Sequence, residues 1–208
     1  MDTSTERILL STAYHAPIQY FSKLRRYPQV YLEQWESYQK QSYRNRCYIL
    51  SANGVLPLTV PIVHTGEKTP IKNIRIDYTK RWKAMHLRAI ESAYRSSPFY
   101  LYYIDDFLAI YHNEYEYLWE MNLAFLQLTL QLLNIKANLK ITESYREIPS
   151  PFLDFTHAIH PKNRFNQPDP TFVPRPYFQV FEKKFGFVPN LSILDLLFNT
   201  GPEAISWL

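Results

Sequence analysis

The sequence predicts an α/β fold: a single mixed domain over 1–208, with a small sheet, an Asn-Gly β-hairpin and about five helices. Three observations carry this reading. The apolar run Ile8 to Tyr14 is too short for a helix and leads into His15-Ala16-Pro17, as a buried strand entering a loop would. Two strand-forming stretches, Tyr43 to Leu50 and Val55 to Val60, flank Asn53-Gly54, a pair suited to the positive φ angles of a tight hairpin turn. Between Trp82 and Leu133 come three helix-length stretches with helical apolar spacing.

After the first strand, helical spacing runs from Ile18 to about Trp35, with Phe21, Leu24 and Tyr27 on one face. Pro28 interrupts or ends that helix, because proline has no amide hydrogen to donate. In the hairpin, Pro57 and Pro61 lack ladder donors, which places the second strand at an edge or a bend. Ile71 to Tyr78 alternates well enough for a further strand. In the first of the three helices, Trp82, Met85, His86, Ala89, Ile90 and Ala93 share a stripe. The second runs from about Phe99 to Tyr111. The third, Tyr117 to Leu133, is apolar nearly all round, the pattern of a core helix, and Asn134 suits its end. Leu139 to Thr142 reads as a strand lying inside the sheet with the first. From about 146 to 176 seven prolines interrupt any periodicity, so this irregular segment is a lid, a partner-binding arm or an extended wrap over the core. A last helix, Ser192 to about Asn199, is capped by Ser192 or Asn190 and ended by Gly201-Pro202.

Composition bounds the function. A chain of 208 residues, 46% hydrophobic and 20% charged, can bury a core. Its 17 Tyr, 13 Phe and 4 Trp suit a core with polar seams or a cleft for a flat ligand. The net charge of +4 favours an anionic small-molecule substrate. Positive charge is dispersed apart from Lys23, Arg25 and Arg26, which argues against nucleic acid. Cys47 is the single cysteine, so an internal disulfide and a cysteine zinc site are excluded. Four glycines without a phosphate-cradling pattern argue against a dinucleotide or P-loop site, and neither cofactor nor metal is predicted. Met1 to Arg7 lacks a secretory pattern, and no apolar run approaches the roughly 18 residues of a membrane span. The expectation is a cytoplasmic protein without a transmembrane segment; its oligomeric state is not legible.

Candidate chemistry is sparse. His86 lies on the inward stripe of its helix, where desolvation keeps imidazole neutral, as a general base requires or as a hydrogen-bonded core histidine would be. Arg44 and Arg46 flank Asn45 on the first hairpin strand; one buried arginine there would clamp a phosphate or carboxylate, unless the charges simply guard an edge. Cys47 reads as an inert buried thiol. Asp105-Asp106 reads as a wet face, and His157 and His160 as solvated loop residues. Asp195, between Leu194 and Leu196, needs a partner if buried, with Arg44, Arg46 or Arg75 the expected one.

Together these pieces resemble the WbqC-like family of bacterial proteins. The resemblance rests on Tyr14 to Phe21, Gln41 to Arg46, the hairpin end Leu58 to Pro61, and Ile71 to Asp77. It continues with the Trp82, His86, Tyr94, Pro98 spacing and the ending Pro189 to Asn199 with Gly201. Family members occur in O-antigen gene clusters, and the resemblance implies a transferase of surface-polysaccharide biosynthesis. Its substrates would be an activated amino acid or acyl donor and a nucleotide-linked amino sugar. On the matching positions, His86 is expected to act as base, Ser192 and Asn45 to orient the reacting carbonyl, Arg46 to hold an anionic part of the donor, and Asp195 to fix an arginine. Tyr94 and Asn190 are expected to bind substrate. The family's usual Gln-Pro pair near the end of its first strand is replaced here by Ser11-Thr12, and a longer, Gly-containing stretch before the final motifs by the Pro-rich segment around Pro161 to Pro176. The rival reading is a non-catalytic interaction protein that uses its aromatic surface and Pro-rich arm to bind a protein partner.

Overall fold

The computed structural model describes residues 7–63, 68–162 and 169–208. The reading of Met1 to Glu6 as a non-secretory start, and the 163–168 part of the Pro-rich segment, lie outside them.

The apolar run forms β1 (Arg7–Ser11), with Ile8, Leu9 and Leu10 fully buried. The next helix, α1 (Ile18–Arg26), ends before Pro28, as the ring demands. The helical spacing beyond it was coincidental: Gln29–Glu33 is a strand, β2, too short to show its own period. The hairpin β3 (Arg46–Ser51) and β4 (Gly54–Thr59) forms as expected, with Gly54 at φ 103° pairing with Ser51. It is a separate two-stranded sheet. Ile71 to Tyr78 is not a strand. It holds a 3-10 turn, Ile71–Asn73, and single bridges at Arg75 and Ile76.

The three central helices are α2 (Trp82–Tyr94), α3 (Tyr100–His112) and α4 (Leu118–Leu132). On α2, Trp82, His86, Ile90 and Ala93 face inward while Met85 is exposed. Strand β5 (Asn138–Ile141) follows, and the Pro-rich segment supplies a strand without a sequence signal, β6 (Phe152–Asp154). The four-stranded sheet has the order β5-β2-β1-β6 and is parallel throughout. The strand near Ile141 is therefore an edge, not an inner strand. A four-residue helix, α5 (Glu182–Phe185), precedes α6 (Ile193–Thr200).

The helix buried on every side is α6, not α4: all its residues are buried, whereas α4 hides one face. Ser192 caps α6 by accepting from the Leu194 amide, and Gly201 ends it at φ 60°, where a Cβ would meet the Phe99 ring at 2.5 Å. The core joins Ile8, Leu10, Val30 and Leu32 from one sheet face to α1, α2, α4 and α6. The described part of the Pro-rich segment is a wrap. Arg175 donates to the Ser206 carbonyl, Trp207 to the Pro176 carbonyl and Tyr177 to Asp195. No helix among the described residues is long and apolar enough to cross a membrane.

Candidate functional site

His86, Ser192, Tyr94 and Asp195 fold into two buried polar clusters at α6, and Arg46 bonds to neither. In the first cluster, the Tyr14 hydroxyl lies 2.8 Å from His86 Nδ1 and bonds the Tyr111 hydroxyl, which is 2.9 Å from His15 Nε2. The Ser192 hydroxyl donates to the His15 carbonyl at 2.9 Å. His15 holds a left-handed φ of 40°, so the loop after β1 is forced into this arrangement. Burial pushes the His86 imidazole down to about 4, with the Thr59 carbonyl pulling the other way. Burial, and then His86, lowers His15, while burial raises Tyr14 and Tyr111. All these groups are therefore neutral at pH 7. Cys47 is buried beside them; burial raises its thiol against the Ser192 hydrogen bond, which makes it the inert thiol expected.

The second cluster surrounds Asp195, which is 1% exposed. Among the described residues, no arginine meets it. Its Oδ2 accepts from the Tyr177 hydroxyl at 2.6 Å and from Gln179 Nε2 at 2.8 Å, and the Tyr94 hydroxyl lies against the same carboxylate. Burial pushes its carboxyl up to about 6, against those hydrogen bonds. The expected arginine partners are engaged elsewhere: Arg44 with Glu36, Arg75 with Glu116, and Arg46 Nε with Thr59 Oγ1 at 2.8 Å. Strand alternation puts Arg46 on the hairpin face opposite Cys47.

The other two motif residues do structural jobs. Asn45 closes the base of the hairpin, giving Nδ2 to the Val60 carbonyl at 2.8 Å while its carbonyl takes the Val60 amide. Asn190, at φ 54°, accepts the Gln19 amide at 2.9 Å and so caps α1 from 171 residues away.

An opening lies at the sheet instead. From β1 the chain crosses to β2 on one side, while β6 lies on the other. The loops leaving β1 and β6 diverge there, and open parallel sheets take ligands at the carboxyl ends of such strands. The crevice is lined by Ser11, Thr12, Tyr20, Tyr43, Arg44 and Thr156, with Phe155 and Ile159 beside them, and holds about 260 Å³ including its mouth. Its enclosed part is narrow, about one water in size.

Arg44 organises this crevice. It is 2% exposed and forks onto Glu36, with Nε 2.8 Å from Oε1 and Nη2 on Oε2. The same Nη2 reaches Ser11 Oγ at 2.9 Å and the Thr156 carbonyl at 3.3 Å, and Ser11 Oγ donates to that carbonyl at 3.0 Å. Asn122 on α4 holds the Arg44 carbonyl at 2.8 Å, and Tyr20 on α1 holds that of Ser11 at 2.8 Å. Nearby, Glu33 accepts the Trp35 and Arg146 amides at 2.7 Å each. His160 is buried, not solvated, and its pKa is lowered first by burial and then by Arg44.

A second buried ion pair stands behind Phe155. Lys23, 0% exposed, pairs with Asp169, donates to Thr171 and lies 5.2 Å from the centre of the Phe155 ring. Burial lowers the Lys23 ammonium, against the pull of Asp169. Among the described residues, these two pairs are the buried ones; the remaining ion pairs are exposed or half-exposed. No group of three metal-ligating side chains occurs among the described residues.

Compared with known proteins, the chain matches the model of the WbqC-like protein family over residues 13–169 and 163–207. No curated protein and no solved structure matches it.

Proposed function

The chain belongs to the WbqC-like protein family, and from that premise we propose that it is a transferase of surface-polysaccharide (O-antigen) assembly, at work in the cytoplasm where nucleotide-linked sugars are made. It moves an aminoacyl (glycyl) or acyl group onto the amine of an amino sugar. The amine attacks the donor carbonyl, the C–N bond forms, the donor's leaving group departs with its electron pair, and the ammonium loses a proton. We place this step in the crevice at the ends of β1 and β6. The observation that carries the placement is Arg44 in its wall, buried and paired with Glu36. Desolvating such a pair is weak support for stability, and breaking it is expensive, so its presence at a ligand-type crevice favours positioning.

His86, Ser192, Asp195 and Tyr94 become positioning residues in this reading. His86 holds Tyr14, whose amide is tied to the Tyr43 carbonyl at 2.9 Å, so the α2 imidazole sets the crevice wall from behind. Ser11 and Thr12, which replace the family's usual Gln-Pro pair, line the crevice, and the substrates accordingly differ from those of relatives with that pair. The alternative, an interaction protein, would use exposed Leu101, Tyr102 and Val173, but the arm it needs is fastened at Arg175, Pro176 and Tyr177.

The test is to incubate the purified protein with an activated glycyl or acyl donor and a nucleotide-linked amino sugar, following the amide product by mass. Product is expected, with tenfold or greater loss in Thr12→Val and Tyr43→Phe. Equal rates in those variants would remove the crevice as the site, and no product from any donor would remove the transferase.

A further inference from the structure

Residues 169–188 run over the core as a strap whose attachments differ in kind. Asp169 is paired with the buried Lys23, and farther on Arg175 and Pro176 make exposed bonds to Ser206 and Trp207. The side chains the strap itself buries are Tyr177 and Gln179, and both donate to one oxygen, Asp195 Oδ2. Gln179 also exchanges two hydrogen bonds with Val188, at 2.9 and 3.0 Å, which ties the far end of the strap to the same point. The grip of the strap on α6 therefore converges on one carboxylate.

That carboxylate is poorly provided for when charged. Its Oδ1, like the Tyr94 hydroxyl nearby, is buried without a hydrogen-bond partner among the described residues. Asn199, one turn on, gives Nδ2 to the Asp195 carbonyl at 2.7 Å and leaves its own Oδ1 unpartnered there too. Tyr94 from α2 and Tyr177 from the strap are the titratable groups that act on Asp195. The other elements packed on α6 bring it no counter-charge. Lys23 on α1 is paired with Asp169, Cys47 on β3 meets Ser192, Tyr100 on α3 meets Phe198, and Glu203 beyond α6 is exposed. Burial accordingly outweighs the two hydrogen bonds and pushes the carboxyl up to about 6 from 3.8. Lifting Tyr177 and Gln179 admits water, which relieves a buried charge and matters far less to a neutral acid. Lifting is therefore rarest below about pH 4, grows as pH rises from there to about 6, and levels off above.

We propose that Asp195 is a pH-sensitive latch on the strap 169–188: its neutral carboxyl holds Tyr177 and Gln179 down on α6, and its ionisation loosens them, so that the strap lifts locally far more often at neutral pH than in acid. Strap residues Phe172 and Tyr177 share a recess with Ile18, Phe187 and Trp207, so apolar surface is what lifting uncovers. The other acids on the strap have different partners, Asp169 with Lys23 and Glu182 with the Gln179 amide.

The test is amide hydrogen exchange of the full chain between pH 4 and 7.5, each rate divided by that of an unstructured amide at the same pH. The Val188 amide, held by Gln179 Oε1, reports the latch, and the Val60 amide, held by the Asn45 carbonyl in the hairpin, reports the rest of the fold. Val188 is expected to open on the order of 100-fold more often at pH 7 than at pH 4, the ratio set by the two pKa values. At pH 7 it should exchange well ahead of Val60. Asp195→Asn should remove the pH dependence. Tyr177→Phe, which takes away one donor to the charged form, should move the levelling-off to higher pH. A flat course in wild type, an unaltered course in Asp195→Asn, or an unmoved levelling-off in Tyr177→Phe would overturn the latch. So would Val188 exchanging only in step with Val60 at every pH, or a course that vanishes in Glu182→Gln instead.

Discussion

The imidazole cluster at α6 and the crevice at the ends of β1 and β6 are both made of polar side chains set among apolar ones, and they differ in closure. In the first, Tyr14, His86, Tyr111, His15 and Ser192 bond one another and are each nearly fully buried. In the second, the ion pair is equally buried, but Ser11, Thr12 and Tyr43 beside Arg44 line an open crevice. The first cluster bonds within itself, with His15 Nδ1 its buried atom left without a partner among the described residues, whereas the second borders an opening; polar groups that bond one another specify the packing.

Breaking the ion pair should produce the largest effect on this comparison. Arg44→Met leaves Glu36 charged and buried, a loss of about 3–5 kcal/mol in urea unfolding. Pairing it with Glu36→Leu should restore most of that, because both charges are then gone; a double variant as unstable as the single would mean the fork serves packing. Next, His86→Ala opens a hole and strands the Tyr14 hydroxyl, for about 2–4 kcal/mol by the same measurement.

Titration sharpens the contrast between the two clusters at α6. The folded His86 at about 4 sits below its ordinary 6.5, so its contribution is present above pH 6.5 and is lost as pH falls through about 4. Asp195 at about 6 sits above its ordinary 3.8, so its contribution is present below about pH 4 and lost as pH rises through about 6. Asp195→Asn should therefore stabilise at pH 7.5 by about 1–3 kcal/mol and give no such gain at pH 4. His86→Gln should narrow its deficit against wild type as pH falls from 6.5 to 4. Unfolding curves at four pH values decide both signs. The smallest effect is expected from Ser192→Ala, about 1 kcal/mol for a lost helix cap, read as a shift in the urea midpoint.

Much of the fold was legible because its signals are local. Asn53-Gly54 marks a turn whatever surrounds it, Pro28 stops α1, and Ser192 and Gly201 bound α6. The strands missed, Gln29–Glu33 and Phe152–Asp154, are short and buried or edge-bound, and only pairing with β1 makes them strands. That gap hid the crevice, since a switch point exists only once β2 and β6 are placed on either side of β1. A buried clamp was legible in Arg44-Asn45-Arg46, but the expectation fell on Arg46 whereas the buried arginine is Arg44, and Glu36, Ser11, Thr12 and Tyr43 carry no pattern of their own. His86 was ambiguous, because an inward imidazole looks the same in sequence whether it faces substrate or Tyr14.

Asn190 reaches back 171 residues to cap α1, and α6, the helix at the heart of the core, is made after every strand among the described residues. During synthesis the opening helix must leave the ribosome with its first amides unsatisfied. It waits there until residue 190 has emerged. The native core of such a molecule locks late, and a chain stopped short of Asn190 lacks both the bolt for its beginning and the centre of its interior.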